Sequence, residues 1–211
     1  MSVVNDNDSS MDSKYYFDNA NIFCLEGKYE EAIVYYNKAI ELDPNYTDAY
    51  NGRGKAKNYL GKYEDSIKDF NKVIELDPNN SAAYNNRGFA KDCLCKYEEA
   101  IKDYDKAIEL NPNNSSAYNG RGKAKNYLGK YEDSIKDYDK SIELDPNYSA
   151  AYNNRGSVKV DLGEYEEAIK DFNKVIELTP NYTNAYYDRG NAKKNLGKYE
   201  EAIKDYDMSI E

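Results

Sequence analysis

Five arginines recur at one spacing: Arg53, Arg87, Arg121, Arg155 and Arg189. Four residues after each stands a lysine (Lys57, Lys91, Lys125, Lys159, Lys193), and sixteen after each an aspartate (Asp69, Asp103, Asp137, Asp171, Asp205). Two cations one helical turn apart lie on the same face, and burying that face is costly unless an anion meets them. The aspartate is placed to be that anion. Two readings stay open: a half-buried ion pair inside each unit that fixes register, or surface cations whose stems lie along the protein while their heads stay in water. A catalytic reading has no support, because an active site needs one constellation and five copies add nothing to it.

Other reactive types are sparse. The chain has no histidine, and its three cysteines are Cys24, Cys93 and Cys95. Cys-x-Cys without a second pair or a histidine does not complete four metal ligands, and two residues apart on a helix the two thiols diverge, which disfavours a bridge. No Gly-rich phosphate loop follows a strand pattern. The sequence therefore predicts no enzyme activity, no metal and no cofactor, and the cysteine usage fits a reducing compartment. The N-x-S/T triplets at Asn45, Asn79, Asn113, Asn114, Asn147 and Asn181 look like glycosylation acceptors but fall where turn and cap chemistry calls for the same letters.

Composition narrows the class further. Of 211 residues, 24 are Tyr, five are Phe and none is Trp, so most large apolar surface ends in a hydroxyl and suits thin, partly wet interfaces. The net charge of −10 would repel a phosphate backbone, which argues against nucleic acid. No run of eighteen apolar residues exists and the start, MSVVNDNDSSMDSK, has no export-signal pattern, so the expectation is a cytoplasmic chain with no membrane contact.

The elements that hold the Arg, Lys and Asp in place repeat with them. YNGRGKAKNYLGKYEDSIKD occurs letter for letter at 50–69 and again at 118–137, 68 residues on. Pro-Asn tags at Pro44, Pro78, Pro112, Pro146 and Pro180 are each 34 residues apart, so the chain divides into repeats 13–46, 47–80, 81–114, 115–148, 149–182 and a shortened 183–211, after an expected disordered tail at 1–12. In 47–80, Thr47 is placed to cap a helix A that runs to Leu60, and Gly61 can take the left-handed conformation that ends it. Helix B is expected over 63–76, with Ile67, Phe70 and Ile74 on its buried stripe, and Pro78 stops it. Ser81, Ser115, Ser149 and Thr183 are the corresponding caps. Cys95 stands where every other unit has glycine, at a cost of about 1 kcal/mol if the backbone there is left-handed.

These residues resemble the tetratricopeptide repeat family. Counting each repeat from its Ser or Thr, the family's small residue at position 8 is met by Ala20, Gly54, Gly88, Gly122, Gly156 and Gly190. Its Ala at 20 is met by Ala32, Ala100, Ala168 and Ala202, with Ser66 and Ser134 in the other two repeats, and its aromatic at 24 by Tyr36, Phe70, Tyr104, Tyr138, Phe172 and Tyr206. The resemblance implies an all-α fold, a right-handed superhelical solenoid of stacked antiparallel helix pairs. It also implies a non-enzymatic interaction scaffold or adaptor whose A helices line a concave groove that takes an extended peptide or a partner's helix.

The family's groove positions then place Asn51, Lys55 and Tyr59 of the second repeat, Asn85, Asn86 and Phe89 of the third, Asn119, Lys123 and Tyr127 of the fourth, Asn153 and Asn154 of the fifth and Asn191 of the sixth along one groove. The recurring amides read as a ladder for a peptide backbone, since each both donates and accepts. The family's two-carboxylate clamp is not reproduced: position 5 never holds Lys and position 6 never holds Arg. The alternative to an adaptor is a structural protein that stacks end to end through its last repeat, where Ile203, Tyr206 and Ile210 are expected to be uncovered.

Overall fold

The computed structural model describes residues 11–210; the expected tail, 1–12, lies outside them for its first ten residues. Among the described residues there are twelve helices: α1 (Ser13–Leu25), α2 (Tyr29–Leu42), α3 (Thr47–Tyr59), α4 (Tyr63–Leu76), α5 (Ser81–Cys93), α6 (Tyr97–Leu110), α7 (Ser115–Tyr127), α8 (Tyr131–Leu144), α9 (Ser149–Asp161), α10 (Tyr165–Leu178), α11 (Thr183–Asn195) and α12 (Tyr199–Ile210). Each 34-residue period supplies one A helix and one B helix, as the Pro-Asn tags predict. The residues fall into two compact units, one ending at Leu110 and one starting at Asn111, and each holds three helix pairs. The fold class is the all-α one, antiparallel helix pairs stacked on one another.

In the first unit α1 packs on α2, α3 on α4 and α5 on α6, while each B helix also packs on the next A helix, α2 on α3 and α4 on α5. The A helices touch one another as well, α1 with α3 and α3 with α5. The second unit repeats this scheme with α7 to α12. Close approach within a pair depends on glycine: a Cβ at Gly54 would stand 2.9 Å from the Phe70 ring, and one at Gly156 2.9 Å from Phe172. The buried hydrophobic residues are mostly Ala, with one buried aromatic in each of the first five pairs, Tyr36, Phe70, Tyr104, Tyr138 and Phe172. Small side chains against one large ring let helices sit close without a deep core.

Helix ends require one correction. Thr47, Ser81, Ser115, Ser149 and Thr183 are the first helical residues, and the caps are the residues before them. Asn80 and Asn114 cap through their side chains, accepting from the backbone N–H of Ala83 and Ala117 at 3.0 and 3.1 Å. Tyr46, Tyr148 and Tyr182 occupy the same position with no side-chain cap. Asp12 caps α1 by accepting from the N–H of Tyr15. Gly27, Gly61, Gly129, Gly163 and Gly197 end their A helices at φ between 71° and 79°, and Cys95 is forced to φ 58° in the third repeat.

Candidate functional site

In each of the second to sixth repeats the Arg, Lys and Asp meet as one buried cluster. Arg53 Nη2 is 2.6 Å from Asp69 Oδ1, its Nε donates to Oδ2 at 3.1 Å, and Lys57 Nζ is 2.7 Å from the same oxygen. Arg87 with Lys91 on Asp103, Arg121 with Lys125 on Asp137, Arg155 with Lys159 on Asp171, and Arg189 with Lys193 on Asp205 have the same geometry at 2.5–2.9 Å. The five aspartates are no more than 4% exposed. Of the two readings left open, the half-buried pair is the one realised.

The third nitrogen of four of these guanidinium groups goes elsewhere. Arg53 Nη1 donates to Asn37 Oδ1, Arg87 Nη1 to Asn71 Oδ1 and Arg189 Nη1 to Asn173 Oδ1, all at 2.6 Å, while Arg155 Nη1 reaches Asp139 Oδ1 at 2.5 Å. These acceptors lie on the B helix of the preceding repeat, so the arginine ties its own pair together and staples it to its neighbour. The ring of the tyrosine three residues earlier covers the guanidinium, as Tyr50 does for Arg53 at 5.3 Å. For Arg155, burial opposes the charge, but hydrogen bonds and attraction from Asp171 and Asp139 outweigh it and raise the pKa further above its ordinary range. These groups are fully committed to structure and are not a reactive centre.

The expected groove residues divide by unit. In the first, Asn51, Lys55 and Tyr59 line a cleft of about 490 Å³ between α1, α2 and α3. Lys55 and Tyr59 also line a second cleft of about 330 Å³, together with Asn58, Asn86 and Phe89. The two clefts thus adjoin. Tyr59 stacks on Tyr29, ring centroids 4.6 Å apart and planes 6° from parallel, and remains 73% exposed. Phe89 is 44% exposed and meets Tyr63 edge-on at 6.4 Å. Asn85 lines neither cleft.

The first cleft also contains residues that were not among those expected: Phe17 and Cys24, at groove positions of the first repeat, and Tyr29, Tyr36 and Gly52. Tyr36 Oη donates to Asn21 Oδ1 at 2.6 Å and lies 3.6 Å from Cys24 Sγ. Burial, then the Cys24 contact, pushes this phenol well above its ordinary pKa, so it stays a neutral donor. A Cβ at Gly52 would stand 2.5 Å from Tyr36 Cζ, so glycine at this position is what lets the phenol reach the backbone of α3. The sequence signal was available: the third and fifth repeats have Asn86 and Asn154 there, and the second has Gly52.

The amides expected to form a ladder are partly enclosed. The Oδ1 atoms of Asn51, Asn85 and Asn153 are shut off from solvent and have no hydrogen-bond partner, and Asn119 Oδ1 already accepts from Asn154 Nδ2 at 2.9 Å. Position 5 is turned partly into the packing, because within each compact unit the A helices touch one another, so these amides are partly enclosed. Lys123 sits 5.7 Å from the centroid of the Tyr127 ring. In the second unit Asn191 lines a small cleft of about 170 Å³ with Ser157, Val160, Asp161, Phe172 and Asp188, and its Oδ1 accepts from Tyr206 Oη at 2.9 Å. Burial raises the pKa of Asp188 above the ordinary carboxylate range. On α12, Ile203 and Ile210 are 57% and 84% exposed as expected, but Tyr206 is half covered, its ring 5.8 Å from that of Tyr187.

Among the described residues no group of three metal-ligating side chains comes together, and no helix is long and apolar enough to cross a membrane. Family models for tetratricopeptide repeats match residues 47–80, 81–114 and 115–148, residues 20–58 and 156–197, and residues 137–170. Comparison with curated protein sequences gives no match. Among solved structures, MamA from Desulfovibrio magneticus RS-1 is 25% identical with a TM-score of 0.71, covering 81% of this chain and 96% of its own. YrrB, described as a TPR protein with an unusual peptide-binding site, is 24% identical with a TM-score of 0.64, covering 84% of this chain and 91% of its own. PilW, a type IV pilus biogenesis factor, is 19% identical with a TM-score of 0.84, covering 92% and 90%.

Proposed function

Because this chain belongs to the tetratricopeptide repeat family, we propose that it is a non-enzymatic adaptor that holds an extended segment of another protein against its A helices, in the clefts of the first unit. The observation that carries this reading is that Asn51, Lys55, Tyr59, Asn86 and Phe89 converge on two adjoining clefts, with two aromatic rings left exposed at their edges. Their volumes fall in the range of small-molecule and side-chain pockets. Exposed aromatics beside a preformed concavity are the usual anchors of protein recognition, since they supply large contact area at small entropic cost. The same fold carries a peptide-binding site in YrrB. At that identity the likeness extends to the fold, so the site here rests on its own residues. The free thiols of Cys24, Cys93 and Cys95 fit work in a reducing compartment.

Selection of peptides displayed at random on phage tests this reading. Selected peptides should lose at least tenfold in affinity on Tyr59→Ala with Phe89→Ala, because each truncation removes about 1.5–3 kcal/mol of apolar contact, while the melting temperature stays close to that of the parent. Charge reversal at Lys72 and Lys106, on the B helices, should leave binding unchanged. Peptides that ignore the aromatic pair and depend on the lysines would place the site elsewhere. The competing reading, end-to-end association through α12, is favoured by the exposure of Ile203 and Ile210. It predicts a mass in light scattering that rises with concentration and returns to that of one chain on Ile203→Glu.

A further inference from the structure

The two clefts of the first unit meet at one side chain. Lys55 lines both. Two residues on, Lys57 is committed to Asp69 at 2.7 Å, and the equivalent lysines of the later repeats are committed in the same way. Lys55 by contrast is exposed and makes no ion pair among the described residues. A free ammonium in a chain of net charge −10 is thus held where two apolar recesses join. The first recess is walled by Phe17, Leu25, Tyr29 and Tyr36, the second by Tyr59 and Phe89. The one carboxylate that lines either cleft, Asp48, belongs to the first cleft only.

Resting on the adaptor reading, we infer that the partner segment carries an acidic residue between two bulky apolar ones. The carboxylate meets Lys55, and the apolar side chains enter the recesses on either side. In an extended chain alternate side chains share a face at about 3.3 Å per residue, so the three side chains come from residues i, i+2 and i+4, spanning roughly 13 Å. Neighbouring helices pack about 8–10 Å apart, so a segment of that length reaches from the first recess to the second. An acidic residue next to Asp48 would meet like charge, so the position over Lys55 is the one that accepts it. Cys24 lines the first recess, so an occupant there would shield its thiol.

The test uses the full chain and fluorescein-labelled peptides Gly-Phe-Ser-Glu-Ser-Phe-Gly and Gly-Phe-Ser-Lys-Ser-Phe-Gly, read by fluorescence anisotropy. The glutamate peptide should bind at least tenfold more tightly than the lysine peptide, by a margin that shrinks as salt is raised. Lys55→Glu, at an exposed position, should reverse the order without changing the melting temperature. Alkylation of Cys24 by iodoacetamide, followed by mass mapping so that Cys93 and Cys95 are counted separately, should slow when the glutamate peptide is bound. Equal affinity for the two peptides, a preference that survives Lys55→Glu, unaltered Cys24 alkylation or no binding of either peptide would each overturn the inference. The adaptor reading does not fall with it, because the phage selection presupposes no charge.

Discussion

Each buried aspartate at the centre of the repeats accepts from one arginine and one lysine, and this balance decides what a substitution does. Asp69→Ala leaves Arg53 and Lys57 without their anion in a site where water cannot replace it, and removing one partner of a buried pair costs about 3–5 kcal/mol. Replacing Arg53, Lys57 and Asp69 together by Met, Met and Leu should cost far less, because no charge is then left unpaired; chemical denaturation of the two variants checks the contrast. Asp205 adds a pH signature. Burial alone would raise its pKa, but hydrogen bonds and attraction from Arg189 and Lys193 outweigh it and hold it below the ordinary 3.8. With the folded value depressed, the unfolded chain binds the proton first as pH falls, so this stabilisation is complete above the unfolded value and is lost as acid titrates the folded carboxylate. Asp205→Asn should therefore flatten the stability profile on the acid side of about pH 4. Asp188 has the opposite sign. Burial raises its pKa and no partner among the described residues offsets the cost, so Asp188→Asn should stabilise at neutral pH and lose that advantage as pH falls through the raised value, which melting curves at pH 7 and pH 4 would show.

At the scale of the helix and its ends, Cys95 is the departure with the clearest consequence. It holds a left-handed φ of 58° where five other repeats place glycine. Cys95→Gly should raise stability by about 1 kcal/mol, seen as a shift in denaturation midpoint with an unchanged slope. This cost was legible in the sequence because the 34-residue period put Cys95 in register with Gly27 and Gly61. The same period made the helices legible: 63–76 is a helix with Phe70 buried, and Pro78 follows its end. The caps were displaced by one residue, since Ser and Thr are good caps by type, yet the residue before them is the one with non-helical geometry, and in two repeats that residue is an asparagine. The Arg–Asp pair was readable as a choice between burial and solvent. Its link to the preceding B helix was not read, although Asn37, Asn71, Asp139 and Asn173 recur at one register. Least legible was the first cleft, because it depends on Tyr36 packing against the bare backbone of Gly52, a contact between repeats that no single repeat displays.

For the whole molecule, the division at Leu110 has a functional corollary, because both clefts lie on one side of it. In repeat proteins stability is close to a sum of terms within each repeat and between nearest neighbours, and three repeats are about the minimum for a stable array. The first unit has its three pairs, its Arg53 and Arg87 clusters, and both staples, Arg53 to Asn37 and Arg87 to Asn71. Residues 1–110 produced alone should therefore be helical and melt cooperatively, at a lower temperature than the full chain because a shorter array has fewer neighbour terms. A single further test joins stability to function. If recognition belongs to the clefts lined by Lys55, Tyr59 and Phe89, the 1–110 fragment should bind peptides selected on the full chain within about threefold of the parent affinity, a difference of roughly 0.6 kcal/mol. Residues 111–211 should not bind them, even though Lys123 and Tyr127 copy Lys55 and Tyr59 letter for letter, because Ser157 stands where the third repeat has Phe89. A folded 1–110 fragment that fails to bind, or equal binding by both halves, would show that the clefts of the first unit are not what the partner reads.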